Sequence, residues 1–595
     1  MNKKELLDKV KSLDGLSTEE KAYLINLVNT KKKYGLVWED KPEEVEEQLR
    51  THLPVLKEVK ERAIINDTET EKHPNHILIE GDNLHALTSL TFTHEGKIDL
   101  IYIDPPYNTG KKDEFKYNDK YVDDEDAFRH SKWLSFINKR LKLAHNLLAD
   151  DGVMIISIDD HEVAQLKLLC DELFNNNPNP KSSNQIGFLI WDLGTGTSAG
   201  HFTRTNEFIL VYAKNKKSLP NFSGGEGVID DRAQKKIGIK NPASDFTFPA
   251  GTKFEAEERL ELTDSWGGAE KSTLIKGKLK CEGGKTTEEV TIKAGWTQKR
   301  QMQSFFEGEK TIDSKGQEVL EFYFRSNGKI YCRKLRDKLN PPSVLREVAT
   351  TKQGSSMLKL LFNGEEPIQY VKPVQLIQYF LKLMPEKKTI LDFFAGSGTT
   401  LHSTISQNDE DQGNRTCIIA TNNENKIAEE VAYIRNKKII EGYQAWKSDF
   451  VSGLTTNNLR YYQCEFVDSI SSEINKRKLS TLCTELLCIK EDCYFDQSAN
   501  YNLPFQKLML FTNDSGKYFM VVFHSRKMNE SFEKVINLVP KLNTKEKIKI
   551  YAFSEEKETL SEELFEIRDL VETVPLPQAI YNAYRATFRD LKIDL

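Results

Sequence analysis

Over the first 75 residues apolar positions recur at helical spacing, as in Leu6, Leu7, Val10 and Leu13 and again in Tyr23, Leu24, Leu27 and Val28, within a highly charged background. Such spacing lines one face of a helix, so 1–75 is expected to form a helical N-terminal arm. From His76 the texture changes to short apolar runs alternating with amphipathic stretches: strand 77–80, helix 83–91, strand 98–103, helix 125–149, strand 152–158 and helix 160–174. Strands alternating with helices predict a parallel sheet covered by helices. The same texture returns later, with helix 372–384, strand 389–393, a Gly-rich turn at 395–398, a helix near 399–407, strand 416–421 and helix 425–442.

Between these stretches, from about Asn221 to Thr350, Gly-, Lys- and Thr-rich segments such as GGAEKSTLIKGKLKCEGGKTTEEV break the periodicity. One sheet is therefore expected from 76–220 and 351–450, interrupted by an insertion of different character at 221–350. Beyond Gly453, strands at 506–511, 517–523 and 547–553 and a Tyr- and Arg-bearing helix at 577–591 predict an α/β domain over 451–595. There is no internal repeat.

Composition narrows the function classes. A chain of 595 residues exceeds one ordinary core, and no apolar run approaches the roughly 20 residues that span a bilayer. The opening MNKKELLDKVKSLDGLS lacks an apolar stretch with a cleavage site, so a cytoplasmic protein is expected, with no membrane partner. Eight scattered cysteines do not suggest a disulfide scaffold. Cys483, Cys488 and Cys493 stand five residues apart with no nearby histidine, which is poor zinc spacing, and no metal is expected. Asp159 and Asp160, in ISIDDHE, read better as caps of the following helix than as metal ligands. A net charge of −6 decides nothing about nucleic acid, since binding is a matter of patches.

Two motifs carry chemistry. In IDLIYIDPPYNTG an apolar strand delivers Asp104, Pro105, Pro106 and Tyr107 to its carboxyl end, where ligand sites of open α/β sheets lie. Consecutive prolines hold the Pro105 carbonyl out of any ladder, beside a carboxylate. An exocyclic ring amine is a poor nucleophile because its lone pair is conjugated. Two acceptors gripping its two hydrogens push it toward a tetrahedral, attackable nitrogen. Tyr107 adds a face on which an extruded base can stack. A tight turn capped by Asp is the bland alternative for this string.

The second motif, TILDFFAGSGTT at 389–400, is again an apolar strand, ending at Asp392 and followed by Phe394, Ala395, Gly396 and Gly398. Glycines let the backbone approach a ligand, and the helix start at Thr399 and Thr400 presents free amides. The strand RTCIIATNNEN then ends in Glu424, where an acid accepts ribose hydroxyls in dinucleotide-type folds. A phosphate-binding loop fails at GGKTT, 283–287, because Leu279 stands where its first glycine belongs. The turn is FAGSG rather than GxGxxG, which disfavours hydride transfer.

With both motifs in view, the chain resembles the amino-methyltransferases of DNA, in particular the β class, in which DPPY precedes FxGxG. KKYGLVWEDKPEEVEEQL, HILIEGDNLHALTSL, HSKWLSFINKRLKLAHNLLADDGVMIISIDDHE, HFTRTNEFILVYAKN and NNENKIAEEVAYIRNKKIIEGY resemble the modification (Mod) subunits of type III restriction-modification systems. The resemblance implies a Rossmann-like, S-adenosylmethionine-dependent α/β sheet with an inserted target-recognition domain and extra N- and C-terminal regions. It implies methyl transfer from S-adenosylmethionine to N6 of a flipped adenine in double-stranded DNA, with Asp104 to Tyr107 acting on the base. Asp82 and Lys372 with Pro373 would flank the reaction centre or the cofactor, Asp392, Phe394, Ala395, Gly396 and Gly398 would form the cofactor turn, and Glu424 would take the ribose. The insertion would read DNA, with Arg325, Lys329, Arg333, Lys334, Arg336 and Lys338 opposed in sequence only by Asp337 and interleaved with Tyr323, Phe324 and Tyr331. A homodimer and a separate helicase-nuclease subunit are the implied protein partners. For Asp82 and Lys372, helix capping or a solvated charge stays open, as does a solvated charged face for the basic strip.

Two alternatives remain. An N4-cytosine enzyme uses the same amine chemistry, although Asp rather than Ser at the first motif position resembles adenine enzymes. A DNA-binding specificity subunit with an inactive methylase fold would have lost the aspartate or the glycine turn, and both are intact. A C5-cytosine enzyme is excluded, since its nucleophile usually follows proline and no Pro-Cys pair occurs.

Overall fold

The computed structural model describes residues 38–591, apart from 69–71, 111–115, 118–119, 123–125, 176–182, 200, 226, 240, 337–338, 471, 505–506, 514, 524–527, 543, 545 and 555–556. Two compact units emerge: the chain up to Pro220 together with Ser343 onward, and Asn221–Pro342. No helix among the described residues is long and apolar enough to cross a membrane.

The first unit is built on a ten-stranded sheet. In chain order its strands are β1 (His52–Glu58), β2 (Asn75–Glu80), β3 (Ile98–Ile103), β4 (Leu148–Ile158), β5 (Gln185–Ala199), β6 (Phe202–Ala213), β7 (Val344–Leu345), β8 (Thr389–Asp392), β9 (Thr416–Thr421) and β10 (Asn458–Asp468). Their spatial order is β1-β10-β2-β9-β8-β3-β4-β6-β5-β7. The strands from β10 to β4 run parallel, while β1 and β6 join antiparallel. Covered on both faces, the parallel strands read as unbroken apolar runs. Leu100, Ile101 and Ile103 in β3 and Ile390 and Leu391 in β8 are all buried.

The two sequence halves interleave. β8 and β9 insert between β2 and β3, so β8 lies against β3 with Ile390 opposite Leu100 and Leu391 opposite Ile101. The chain leaves this junction in opposite directions, which opens a crevice at the carboxyl edge. The DPPY turn ends one of these two strands and the glycine turn the other.

The N-terminal expectation needs correction. Residues 1–37, which carry most of the helical periodicity, lie outside the described residues. Helix α1 (Glu44–Thr51) is followed by strand β1, paired with β10 from His52–Asp468 to Glu58–Tyr462. The run Leu53–Leu56 is buried because β10 offers an edge to it, a long-range pairing that local periodicity does not report. β10 also falls past the boundary expected at 451, so the sheet draws on both terminal regions.

The C-terminal region follows the predicted strands closely, with Leu508–Thr512, Tyr518–Val522 and Ile548–Ser554 in a five-stranded sheet. It belongs to the first unit. Its final helix, Gln578–Leu591, sends the Tyr584 hydroxyl to the Pro54 carbonyl and Thr587 Oγ1 to Thr91 Oγ1 of helix α2 (Asn83–His94). Cys483, Cys488 and Cys493 are buried in the apolar core there.

The second unit is almost wholly β, with one helix, Lys299–Phe306, among its described residues. Phe248, Phe254, Phe324 and Ile330 form its core. Its four-stranded sheet runs Phe254–Glu255, Val319–Arg325, Ile330–Arg336, Gly227–Arg232.

Candidate functional site

β3 ends at Ile103, and the next residues turn at the carboxyl edge instead of extending, as two prolines demand. The turn is held from below by helix α3 (Arg129–Leu147), whose Trp133 Nε1 donates to the Pro106 carbonyl at 2.7 Å. Asp104 Oδ2 accepts from Lys372 Nζ at 2.8 Å, whereas its Oδ1 is buried without a hydrogen-bond partner. Acceptors left bare in a folded interior cost roughly 1–3 kcal/mol, so such an atom calls for a functional explanation.

Lys372 stands just before helix α5 (Val374–Leu383), with Pro373 as its N-cap residue. Its side chain is 8% exposed, and the ammonium also contacts the Tyr107 hydroxyl at 2.8 Å and Glu207 Oε2 at 3.4 Å. Tyr107 in turn donates to Glu207 Oε2 at 2.9 Å. One cation thus neutralises two carboxylates and fixes the ring expected to stack on a base. Burial opposes the ammonium, but Asp104 and Glu207 outweigh it and hold Lys372 charged. Burial pushes the Glu207 carboxyl up, with Lys372 pulling the other way. Burial and the adjacent carboxylates raise Tyr107 far enough that its hydroxyl stays protonated. Lys372, expected to flank the cofactor, therefore organises the DPPY turn.

The glycine turn follows β8. Asp392 Oδ1 accepts from Phe394 N at 2.9 Å and its Oδ2 from Thr400 Oγ1, so this carboxylate braces the turn from inside. Burial pushes it up to about 7, with both hydrogen bonds opposing. Gly396 and Gly398 sit at φ 49° and 76°, the left-handed region that glycine enters without cost. A Cβ on Gly398 would strike Asn436 Nδ2 at 2.5 Å, which makes this glycine a packing requirement. A Cβ on Gly396 would meet nothing within 4 Å. Open space above a glycine, beside the start of helix α6 (Thr399–Asp411), suits a ligand that approaches the backbone, and Ala395 and Phe394 line the same turn. Phe394 packs 5.8 Å from the ring of Phe136, which also lies 3.7 Å from the Arg140 guanidinium.

Asp82 caps α2, accepting from Leu84 N at 2.7 Å, and lies 3.5 Å from buried Arg140. The capping alternative is thus realised, on the carboxyl edge of β2. Glu424 is exposed in a short 3₁₀ turn just beyond β9. The glycine turn and Glu424 thus follow two neighbouring parallel strands at the same edge of the sheet. Asp159 does not cap the next helix, α4 (Val163–Phe174), whose N-cap residue is Glu162. Asp159 accepts from His161 and Arg204 instead, and Arg204 also holds Asp160 at 2.6 Å.

The basic strip of the second unit is largely neutralised. Arg325 pairs with Asp230 at 3.2 Å, Arg333 with Asp230 at 2.9 Å and with Glu321, Lys329 with Glu270 at 2.6 Å, and buried Lys334 with Asp231 and Asp313. Phe324 and Tyr323 are buried, and Arg325 lies 4.1 Å over the Tyr331 ring. Arg336 ends its strand half-buried, and Lys338 is outside the described residues. These cations do not form a bare phosphate-facing strip, because strand pairing brings acids distant in sequence opposite them.

Pattern reading missed Glu207, Trp133, Glu162 and Arg435. Glu207 had a signal, an acid opening the otherwise apolar FILVYA. Arg435 had none: it is buried, donating to Ser397 Oγ at 2.9 Å and Thr399 Oγ1 at 2.7 Å beneath the glycine turn.

A proline-rich turn with an unfilled buried acceptor and a glycine turn stand side by side on adjacent parallel strands of an α/β sheet. The chain matches the family described as DNA methylase over residues 98–477, and it belongs to that family. It is 31% identical to the EcoP15I Mod subunit of a type III restriction-modification enzyme from Escherichia coli, over 64% of this chain and 63% of that protein. It is 31% identical to the EcoPI Mod subunit of Escherichia phage P1, over 65% and 63%, and 29% identical to the type II methyltransferase M.KpnI of Klebsiella pneumoniae, over 65% and 88%. The chain thus spans somewhat under two thirds of those Mod subunits. The solved PvuII cytosine-N4-specific DNA methyltransferase overlaps 61% of this chain and 89% of its own at 11% identity, with a TM-score of only 0.30.

Proposed function

We propose that this chain transfers a methyl group from S-adenosylmethionine to the N6 amino group of an adenine flipped out of double-stranded DNA, as the modification subunit of a type III restriction-modification system. The observation that carries the reading is the bare, buried Oδ1 of Asp104 beside the Pro105–Pro106 turn. It is an acceptor kept free for an N–H donor while Oδ2 is spoken for by Lys372. Asp104 takes one amine hydrogen, the Pro105 carbonyl the other, and the nitrogen lone pair is drawn out of ring conjugation. Tyr107, its hydroxyl fixed by Lys372 and Glu207, supplies the face on which the base stacks. S-adenosylmethionine, when bound at the glycine turn, supplies a methyl carbon on a sulfonium that departs as a neutral sulfide. As the new N–C bond forms, the surplus proton leaves nitrogen toward Asp104 or water. Gly396, Ala395 and Phe394 would hold the cofactor, with Glu424 on the ribose and Asp82 near the reaction centre.

The remaining parts of this reading are a cytoplasmic homodimer, a separate restriction subunit bearing the helicase and nuclease, and recognition of the DNA sequence by Asn221–Pro342. The names of the Mod relatives, subunits of type III restriction-modification enzymes, support the separate restriction subunit, and the compact Asn221–Pro342 unit supports a separate recognition role. The test incubates purified chain with unmethylated DNA and labelled S-adenosylmethionine and identifies the modified base by mass spectrometry. N6-methyladenine is expected, and Asp104→Ala should bind cofactor and DNA yet transfer nothing. N4-methylcytosine, or label transfer by Asp104→Ala at near wild-type rate, would overturn the reading.

A further inference from the structure

Immediately behind the DPPY turn lies a polar cluster that the chemistry above does not use. Asn108 follows Tyr107 and is 1% exposed, at φ 57°. Its Nδ2 donates to Glu162 Oε1 at 2.5 Å and reaches the Arg129 carbonyl at 3.4 Å. Glu162 is fully buried and ends the link from β4, the strand beside β3, to helix α4. His130, on the first turn of α3, meets the same Oε1 through Nδ1 at 2.6 Å. Arg129 Nε lies 3.4 Å from His130 Nε2, which suits the tautomer whose Nδ1–H donates to the carboxylate. Trp133, one helical turn along α3, holds the Pro106 carbonyl. The turn after β3 is therefore tied to the ends of both neighbouring elements, and Glu162 is the knot.

Two features set this cluster apart from ordinary packing. Asn108 Oδ1 and Glu162 Oε2 are both buried without a hydrogen-bond partner. A purely structural cluster gains nothing from two unfilled acceptors, whereas a geometry dictated by the turn tolerates them. The left-handed Asn108 lies directly after the residue expected to stack on the base, and strained backbone persists where surrounding contacts over-determine it.

We propose that Glu162 is a positioning residue for this site: through Asn108 and His130 it sets where the Asp104–Tyr107 turn stands. The inference rests on the amine-transfer reading for its effect on rate, and on geometry alone for its effect on the turn. A small misplacement of reacting groups costs up to about 100-fold in rate. Glu162→Ala, which removes the acceptor shared by Asn108 and His130, should therefore lower kcat about 10- to 100-fold while leaving KM for DNA and cofactor affinity within about twofold.

Asn108→Gly is the discriminating partner, since glycine accepts φ 57° freely but lacks the amide. If Asn108 serves only to tolerate that backbone, Asn108→Gly keeps wild-type kcat. If its bond to Glu162 positions the turn, Asn108→Gly loses a large part of what Glu162→Ala loses, and the double variant loses no more than Glu162→Ala alone. Hydrogen exchange of the peptide spanning 102–110 reads the turn whatever reaction the chain performs, and it should quicken in both variants. Faster exchange without any wild-type methylation would sink the amine-transfer reading and leave the positioning role standing. Wild-type exchange in 102–110, full kcat in either variant, or additive losses would overturn the positioning role.

Discussion

Replacing Lys372 by methionine deletes one buried ammonium at nearly constant side-chain length and tests how the site is charged. In the wild type that ammonium contacts Asp104 at 2.8 Å and Glu207 at 3.4 Å, so the two carboxylates stand no more than about 6 Å apart. At an effective dielectric constant of about 20, like charges at that separation repel by about 3 kcal/mol, equivalent to about 2 pH units. Glu207 is already pushed up by burial, with Lys372 the main influence opposing it. Without the lysine the mutual repulsion of the two carboxylates is no longer offset, a proton is taken up more readily than in the wild type, and the amine loses an ionised acceptor. A raised affinity for protons means the loss is worst at low pH and relieved as pH rises. The acid limb of kcat in Lys372→Met should thus move up by about 2 units, followed by counting N6-methyladenine across pH in buffers of constant ionic strength. Removing one partner of a buried pair also costs about 3–5 kcal/mol of stability, partly recovered by that proton. A melting curve at each pH keeps folding and chemistry apart. Adding Glu207→Gln removes the repulsion and should bring the acid limb most of the way back. An acid limb unmoved in a folded Lys372→Met protein would refute the argument that this ammonium sets the charge of the site.

At the glycine turn, Gly396→Val should abolish cofactor binding in calorimetry while the far-ultraviolet spectrum stays native, because its side chain fills open space in a left-handed backbone. Gly398→Ala should lower the melting temperature as well, since its Cβ would press on Asn436 at 2.5 Å. Burial would raise the Glu491 carboxyl, yet bonds from Lys517, Tyr551 and Lys549 bring it down to about 2. Its stabilisation is accordingly complete above the ordinary carboxylate range and lost as pH falls toward 2, on the order of 3 kcal/mol. An acid titration by circular dichroism should show this component, and Glu491→Gln should lack it. Exchanging Asn221–Pro342 for the corresponding unit of a related enzyme should change the methylated sequence but not the target base, as sequencing of modified bases would report.

Local pattern carried a great deal here. Apolar runs of four residues marked β3 and β9, and the buried pair Ile390–Leu391 marked β8, because strands buried on both faces have no polar face to show. Asp-Pro-Pro-Tyr and the FAGSG turn were legible because proline and glycine act on their own backbone and need no partner to do so. The Gly-, Lys- and Thr-rich stretch marked an insertion of different character over 221–350; that Asn221–Pro342 packs as a unit of strands came from the structure. What the sequence could not express was adjacency. Residues 100 and 390 are neighbours only because β8 inserts beside β3, which joins the two motifs into one edge. The basic strip from Arg325 to Lys334 looked uncompensated until strand pairing set Asp230, Asp231 and Glu321 against it. Lys372, Glu207, Glu162 and Arg435 take their roles from side chains dozens to hundreds of residues away. Hydrogen bonds and charge pairs act over about 3–4 Å of space, so only the tertiary fold could decide which of these polar residues belonged to the site.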